Sequence, residues 1–195
     1  GTDLTAEASE GKLSPIVGRK EVVDMMIQTL CRSTKSNPVI IGPAGVGKTA
    51  LVEGLALKVY NNDVPEKLRN CRIFSVSALS LIAGASWYGM IDHRVKNLLE
   101  EAKRKNVIVF IDEIHTLIDS GPGGDTSRDI SQQMKPALSR GQIRLIGATT
   151  DEEYRKFIAK DRALERRFQP IPVPELSSEE TLTLLREINN RFSEK

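Results

Sequence analysis

Charge of one sign is what this chain most lacks: 28 basic residues face 26 acidic ones, for a net charge of +2 over 195 residues. That balance argues against a nucleic-acid platform, which needs a basic stripe or patch. No apolar run approaches the roughly 18 residues of a membrane-spanning helix, and no signal-peptide pattern opens the sequence. Cysteine is nearly missing. Cys31 and Cys71 stand alone, without a CxxC or Cys/His cluster, and read as reduced thiols of a cytosolic-type compartment. His93 and His115 show no metal-ligand spacing and read as helix or turn residues. The expected location is the cytoplasm or an organelle interior, mitochondrion or plastid, since a removed transit peptide leaves no trace. The length suits one domain with a real core.

What is present is alternation. Gly1 to Lys12 is polar, mixed in charge and without an apolar period, and reads as a linker or arm. Val22, Val23, Met26, Ile27 and Leu30 recur at helical spacing. After the Asn37-Pro38 break, Val39 to Ile41 form a short all-apolar strand. Leu51, Leu55 and Val59 mark a helix, Ile73 to Val76 a strand, and Val95, Leu98, Leu99 and Ala102 another helix. Val107 to Ile111 is the most apolar strand. Beyond the flexible turn Gly121-Pro122-Gly123-Gly124 come a polar helix towards Arg140-Gly141 and a fourth strand, Ile143 to Ile146. Asp151 is expected to cap a helix containing Tyr154, Phe157 and Ile158. Ile171 to Val173, set among Pro170, Pro172 and Pro174, suits only an edge strand, and Ser177-Ser178-Glu179-Glu180 resembles a helix start. No internal repeat is visible. Short apolar strands alternating with helices specify an α/β fold, a parallel sheet covered on both faces.

Two segments carry the chemistry. Gly42-Pro43-Ala44-Gly45-Val46-Gly47-Lys48-Thr49 fits GxxxxGK[ST], with a strand before it and a helix after it. Small residues let successive backbone N–H groups turn inward around a β-phosphate, and the helix adds the positive end of its dipole. Lys48 is expected to reach the β/γ oxygens and the Thr49 hydroxyl to ligate Mg2+. Asp112-Glu113 follows the apolar strand Val107 to Ile111, taken to lie beside the loop strand. Asp112 there can hold Mg2+, partly through water, and Glu113 can polarise an attacking water as general base. Together the segments specify a protein that binds a nucleoside triphosphate with Mg2+ and hydrolyses it.

Three further groups admit two readings each. Arg166 and Arg167, within Asp161 to Phe168, are either a solvated helix end or an arginine finger acting on a neighbouring subunit's γ-phosphate. Thr149-Thr150 either orient the attacking water or cap the following helix. Gly84-Ala85-Ser86-Trp87-Tyr88-Gly89 sets two large aromatics between glycines. Its lack of helix or strand period favours an exposed loop that touches a partner or substrate over core packing.

The assembled pattern resembles the first ATPase module of the Clp unfoldases and disaggregases, a branch of the AAA+ proteins. The likeness rests on Asp3-Leu4-Thr5 and Gly11 to Arg19, on Gly42 to Thr49 continuing through Glu53-Gly54-Leu55-Ala56, and on Asn62-Asp63-Val64-Pro65. Phe110 to Thr116, Lys135-Pro136-Ala137-Leu138, Ile146 to Thr150 and Lys160 to Gln169 extend it over nearly the whole chain. It implies a P-loop NTPase of five parallel strands flanked by helices, the glycine-loop strand near the middle and the carboxylate strand two places away. It implies a homo-hexamer of the full-length protein that hydrolyses ATP between subunits and threads unfolded or aggregated polypeptides through its pore. A peptidase ring or co-chaperone belongs to the same expectation; nucleic acid and a membrane span do not. By the resemblance, Val17 and Gly18 lie against the adenine and Gly42 to Thr49, with Ala50, line the phosphates. Thr150 falls at the water-positioning sensor, and Arg166 and Arg167 fall at the trans-acting finger. Trp87 and Tyr88 fall in the pore loop.

Two departures stand out. The family's pore loop usually reads Gly-Ala-Lys-Tyr-Arg-Gly; here Trp87 keeps an aromatic at the tyrosine position, while Ser86 and Tyr88 remove both flanking positive charges. The expected division is a linker over 1–12, a nucleotide-binding subdomain over 13–174 and the start of a helical lid over 175–195, with the rest of that lid missing. A nucleotide-gated scaffold or adaptor that does not thread protein is the alternative reading. A loader of nucleic-acid machinery is disfavoured by the near-neutral charge.

Overall fold

The computed structural model describes residues 1–16, 18–82, 88–104, 106–118, 136–138 and 142–193. In chain order the elements are β1 (Thr2–Asp3), α1 (Leu4–Ser9), α2 (Lys20–Cys31), β2 (Asn37–Ile41), α3 (Lys48–Tyr60) and a 3-10 turn at Glu66–Leu68. There follow β3 (Arg72–Ser77), α4 (Ala78–Ile82), α5 (Tyr88–Ala102), β4 (Val107–Asp112), α6 (His115–Ile118) and β5 (Leu145–Thr149). Next, α7 (Asp151–Glu153) runs into a π-helical turn at Tyr154–Ile158, before α8 (Arg162–Glu165), β6 (Phe168–Pro172) and α9 (Ser178–Ser193).

The strands make one sheet in the order β1-β3-β4-β5-β2-β6. Five are mutually parallel, as expected, and β1 adds a sixth, antiparallel to β3. The glycine-loop strand β2 lies one place from the edge rather than near the middle. The carboxylate strand β4 is two places from β2, so the two are not adjacent; β5 separates them.

Side chains on β2 and β4 alternate between two helix-covered faces. Val39, Ile41, Val109 and Ile111 pack with Val95, Leu99 and Leu117 on one face. Ile40, Ile108 and Phe110 pack with Met26, Leu51 and Leu55 on the other. Burial on both faces is why these strands read as unbroken apolar runs. Each fully buried aliphatic side chain contributes about 1.5–3 kcal/mol.

Segment 1–12 is not a detached arm. Asp3 caps α1 by accepting from the amides of Thr5 and Ala6 at 3.0 and 3.1 Å, and Leu4 and Ala8 are buried. A six-residue helix is too short to show an apolar period. The fourth strand runs over Leu145–Thr149, later than expected, because its register is set by Val109 opposite Leu145 and Ile41 opposite Thr149. The small Gly147 and Ala148 hid its second half. α5 starts at Tyr88, so Tyr88 and Gly89 belong to a helix rather than a loop; Gly84 to Trp87 lie outside the described residues, as does most of the polar segment towards Arg140-Gly141.

Proline is accommodated where its missing N–H costs nothing. Pro38 precedes the part of β2 that pairs with β5, and there the Asn37 Oδ1 accepts from the Leu145 amide at 2.9 Å. β6 lies at the sheet edge, as its prolines require. The Val173 amide donates to the Ile41 carbonyl at 2.7 Å. Strand alternation therefore turns positions 170 and 172, both proline, away from β2.

Candidate functional site

The carboxyl ends of β2, β4 and β5 converge, as ligand sites in open α/β sheets do. The glycine loop leaves β2 at Gly42, whose amide donates to the Thr149 carbonyl at 3.2 Å and so ties the loop to β5. Gly42 has no room for a side chain: a Cβ would lie 2.8 Å from the Val173 carbonyl oxygen. At the far end of the loop Gly47 caps α3 with φ +93°, a left-handed conformation that glycine adopts without a Cβ penalty. Pro43, Ala44, Gly45, Thr49 and Ala50 are exposed, and Val46 is half-buried. The Lys48 ammonium donates to the carbonyls of Gly42 and Pro43, each at 2.8 Å. The Thr49 hydroxyl donates to Asp112 Oδ2 at 3.3 Å. The four residues Lys48, Thr49, Asp112 and Glu113 are thus gathered at one end of the sheet.

Glu113 is exposed and its backbone has φ +51°. A non-glycine residue in that region carries strain of order 1–3 kcal/mol and persists where its surroundings over-determine it. Here the Glu113 amide donates to Asp112 Oδ1 at 3.0 Å, and its carbonyl accepts from both the amide and the hydroxyl of Thr116 at 2.9 Å. Ile114, fully buried, anchors the turn by donating its amide to the Ala148 carbonyl at 3.1 Å.

Thr150, not Asp151, caps the helix after β5. It forms a capping box in which the Glu153 amide donates to Thr150 Oγ1 at 3.3 Å and Thr150 N donates to Glu153 Oε2 at 3.2 Å. The Thr150 hydroxyl also donates to Glu153 Oε2 at 2.8 Å. Thr150 is thus seen in the capping use, while Thr149 is buried behind it. The pattern Thr150-x-x-Glu153 was the available signal for the cap.

A polar cluster that the sequence did not reveal lies behind the carboxylates. His115 Nε2 is 3.0 Å from Glu153 Oε1, its Nδ1 is 3.0 Å from Thr149 Oγ1, and Thr149 Oγ1 donates to Glu153 Oε2 at 3.1 Å. Burial pushes the Glu153 carboxyl up, but the hydrogen bonds from Thr150, the electrostatic attraction of His115 and the hydrogen bond from Thr149 outweigh it and hold it below its ordinary value.

Arg166 and Arg167 are not brought to this site. They precede β6 at the amino end of the sheet, where the Arg167 carbonyl accepts from the Asn37 amide at 3.4 Å. The five-residue β2 separates them from the glycine loop, roughly 13 Å of strand. Arg166 is exposed and Arg167 half-exposed. Gly18 has φ +70° and faces Leu176 at the approach to α9. Val17 and Trp87 lie outside the described residues, and Tyr88 is described only as the first residue of α5. Among the described residues no group of three His, Cys, Asp or Glu converges as a metal cage. One hydroxyl and one carboxylate within 3.3 Å nonetheless fit Mg2+, a hard cation that takes few protein ligands and fills the rest with phosphate oxygens and water. Cys31 and Cys71 are free thiols, and burial pushes the Cys71 thiol up.

Residues 38–173 match the model of the ATPase family associated with various cellular activities (AAA). The chain is 48% identical over 194 residues to chaperone protein ClpB 2 of Thermosynechococcus vestitus, covering 98% of this chain and 22% of that protein. It is 48% identical over 195 residues to ClpB of Aquifex aeolicus, covering 100% and 19% respectively. The chain therefore spans about a fifth of the length of these relatives. Among solved structures, an S. cerevisiae Hsp104-ADP complex superposes with a TM-score of 0.87 at 43% identity, over 97% of this chain and 32% of that one. A closed state of Hsp104 with ATPyS and FITC casein gives 0.85 at 43% identity, over 97% and 33%.

Proposed function

This chain belongs to the ATPase family associated with various cellular activities, and we propose that it falls in the Clp-type branch, as the first ATPase module of a ring-forming protein unfoldase or disaggregase. The observation that carries the nucleotide half of this reading is the convergence of Lys48 and Thr49 with Asp112 and Glu113 at the carboxyl ends of β2 and β4. Backbone amides of Ala44 to Lys48 and the start of α3 bind the phosphates of ATP, and Lys48 exchanges its loop carbonyls for phosphate oxygens. Thr49 and Asp112 would hold Mg2+, which neutralises phosphate charge when bound. Glu113 accepts the proton of the attacking water. Glu113 is exposed at the end of β4, and one carboxylate oxygen of Asp112 beside it meets the Thr49 hydroxyl. Thr150 would orient that water by trading its Glu153 bond. Val17 and Gly18 would border the adenine.

The second half of the reading concerns neighbours. Arg166 and Arg167 lie a strand's length from the loop of their own chain, which supports a role at the nucleotide of an adjacent subunit in a homo-hexamer. The relatives are ClpB chaperones, and one Hsp104 structure carries casein. By that likeness the substrate is an unfolded or aggregated polypeptide, gripped by Trp87 with Tyr88 beside it. The test is unfolding of a tagged fluorescent protein by the full-length assembly, with Trp87→Ala beside wild type. ATP hydrolysis kept with unfolding lost in the variant supports threading. ATP hydrolysis without unfolding in the wild type means a nucleotide-gated scaffold instead.

A further inference from the structure

Glu113 stands in a strained turn, and its own hydrogen bonds to Asp112 and Thr116 are local to that turn. Something must fix the turn against the rest of the sheet, because a carboxylate displaced by about 1 Å can lose two orders of magnitude in rate. Two ties leave the turn for β5. One is the Ile114 amide on the Ala148 carbonyl. The other is His115, the first residue of α6, which commits both ring nitrogens to the connection. Nδ1 lies 3.0 Å from the Thr149 hydroxyl and Nε2 lies 3.0 Å from Glu153. Phe157 stacks on the ring with centroids 6.2 Å apart and an angle of 21°.

Thr149 is 2% exposed and sits at a junction. Its carbonyl accepts from Gly42 at the start of the phosphate loop, and its hydroxyl meets His115 and Glu153. Glu153 in turn holds the amide and hydroxyl of Thr150. A continuous chain of bonded groups therefore runs from the phosphate loop through Thr149 to His115, two residues from Glu113. The capping box of α7 closes between Thr150 and Glu153 alone, so the helix does not need His115 for its cap. What His115 adds is the cross-link between the turn that carries Glu113 and the strand end that the glycine loop leans on.

We propose that His115 is a positioning residue for hydrolysis, holding Glu113 in register with the phosphate loop through Thr149 and Glu153. The proposal rests on the hydrolytic reading above. It is tested by steady-state ATP hydrolysis of the full-length assembly, together with ATP affinity and thermal unfolding, for four variants. His115→Ala is expected to lower kcat about 10- to 100-fold with KM and nucleotide affinity within about twofold. His115→Gln, whose amide can reach the Nε2 position beside Glu153, is expected to restore much of the loss. Phe157→Leu loosens the same ring without breaking a polar tie, and is expected to keep kcat near wild type even where it lowers the melting temperature. Glu113→Gln tests the underlying reading. If it is inactive while His115→Ala keeps wild-type kcat, the hydrolytic reading stands and His115 falls. If His115→Ala and Phe157→Leu lose kcat in step with melting temperature, His115 is packing only and the proposal is overturned. Full turnover in Glu113→Gln would remove the reading and the proposal with it.

Discussion

The Thr49 hydroxyl and the Asp112 carboxylate, 63 positions apart in the chain, meet at 3.3 Å where the start of α3 faces the end of β4. Neither group needs the other to fold its element, since Thr49 is in the first turn of α3 and Asp112 ends β4. Their meeting is what a shared hard cation would select. Thr49→Val should keep the fold and raise the Mg2+ concentration needed for half-maximal ATP turnover about tenfold or more. A Mg2+ titration of hydrolysis checks it, and an unchanged midpoint would take Thr49 out of the metal site. Chelation with EDTA should stop turnover in both proteins.

Glu113→Gln should retain ATP binding and lose roughly 10²- to 10⁴-fold in turnover, the range for removing a general base. Glutamine keeps the side-chain length and accepts the same backbone geometry, so the strained φ is unaffected. Nucleotide-binding fluorescence and phosphate release, measured on one preparation, separate the two effects. Undiminished phosphate release would assign the proton to another group.

Arg167→Ala, and Arg166→Ala beside it, should depress turnover in the assembled protein by up to about 10³-fold while leaving ATP affinity of the dissociated subunit unchanged. Mixed assemblies sharpen the test: an Arg167→Ala subunit combined with a Glu113→Gln subunit should recover partial activity at those interfaces where an intact arginine meets an intact carboxylate. A loss of affinity in single subunits would instead mark the arginines as structural.

The lowered Glu153 carboxyl makes a pH prediction. Because its folded value lies below the ordinary 4.5, the carboxylate form is favoured by folding, and its contribution is fully present above pH 4.5. It is lost as pH falls through the folded value. Glu153→Gln should therefore melt below wild type at neutral pH, and the gap should narrow steadily in acid below pH 4.5. A gap that stays constant with pH would mean that the capping geometry, rather than the charge, carries the effect.

Much of this site is legible in the sequence. Gly42 to Thr49 and Asp112-Glu113 are contiguous motifs whose chemistry follows from residue type, and the flanking apolar runs told which ends of which strands they occupy. What stayed hidden depended on pairs distant in sequence. No local period encodes the order of strands, which is decided by which edges find partners; the two-place separation of β4 from β2 was expected only from the family resemblance. Thr2–Asp3 is too short to read as a strand, yet Asp3 both caps α1 and pairs with Arg72, Nε to Oδ2 at 2.9 Å. His115 looked idle because its partners, Thr149 and Glu153, come from the far side of the chain. The cap at Thr150 could have been found from its spacing to Glu153; the tie from His115 could not.

The edges of the sheet bear on what such a protein can safely touch. Unfolded polypeptide seeks open strand edges, and any edge with free donors and acceptors invites it to add a strand. At one side the edge is the two-residue β1, too brief to template anything. At the other, positions 170 and 172 offer no N–H outward because both are proline. Both edges of the sheet thus leave an extended polypeptide little free backbone to pair with.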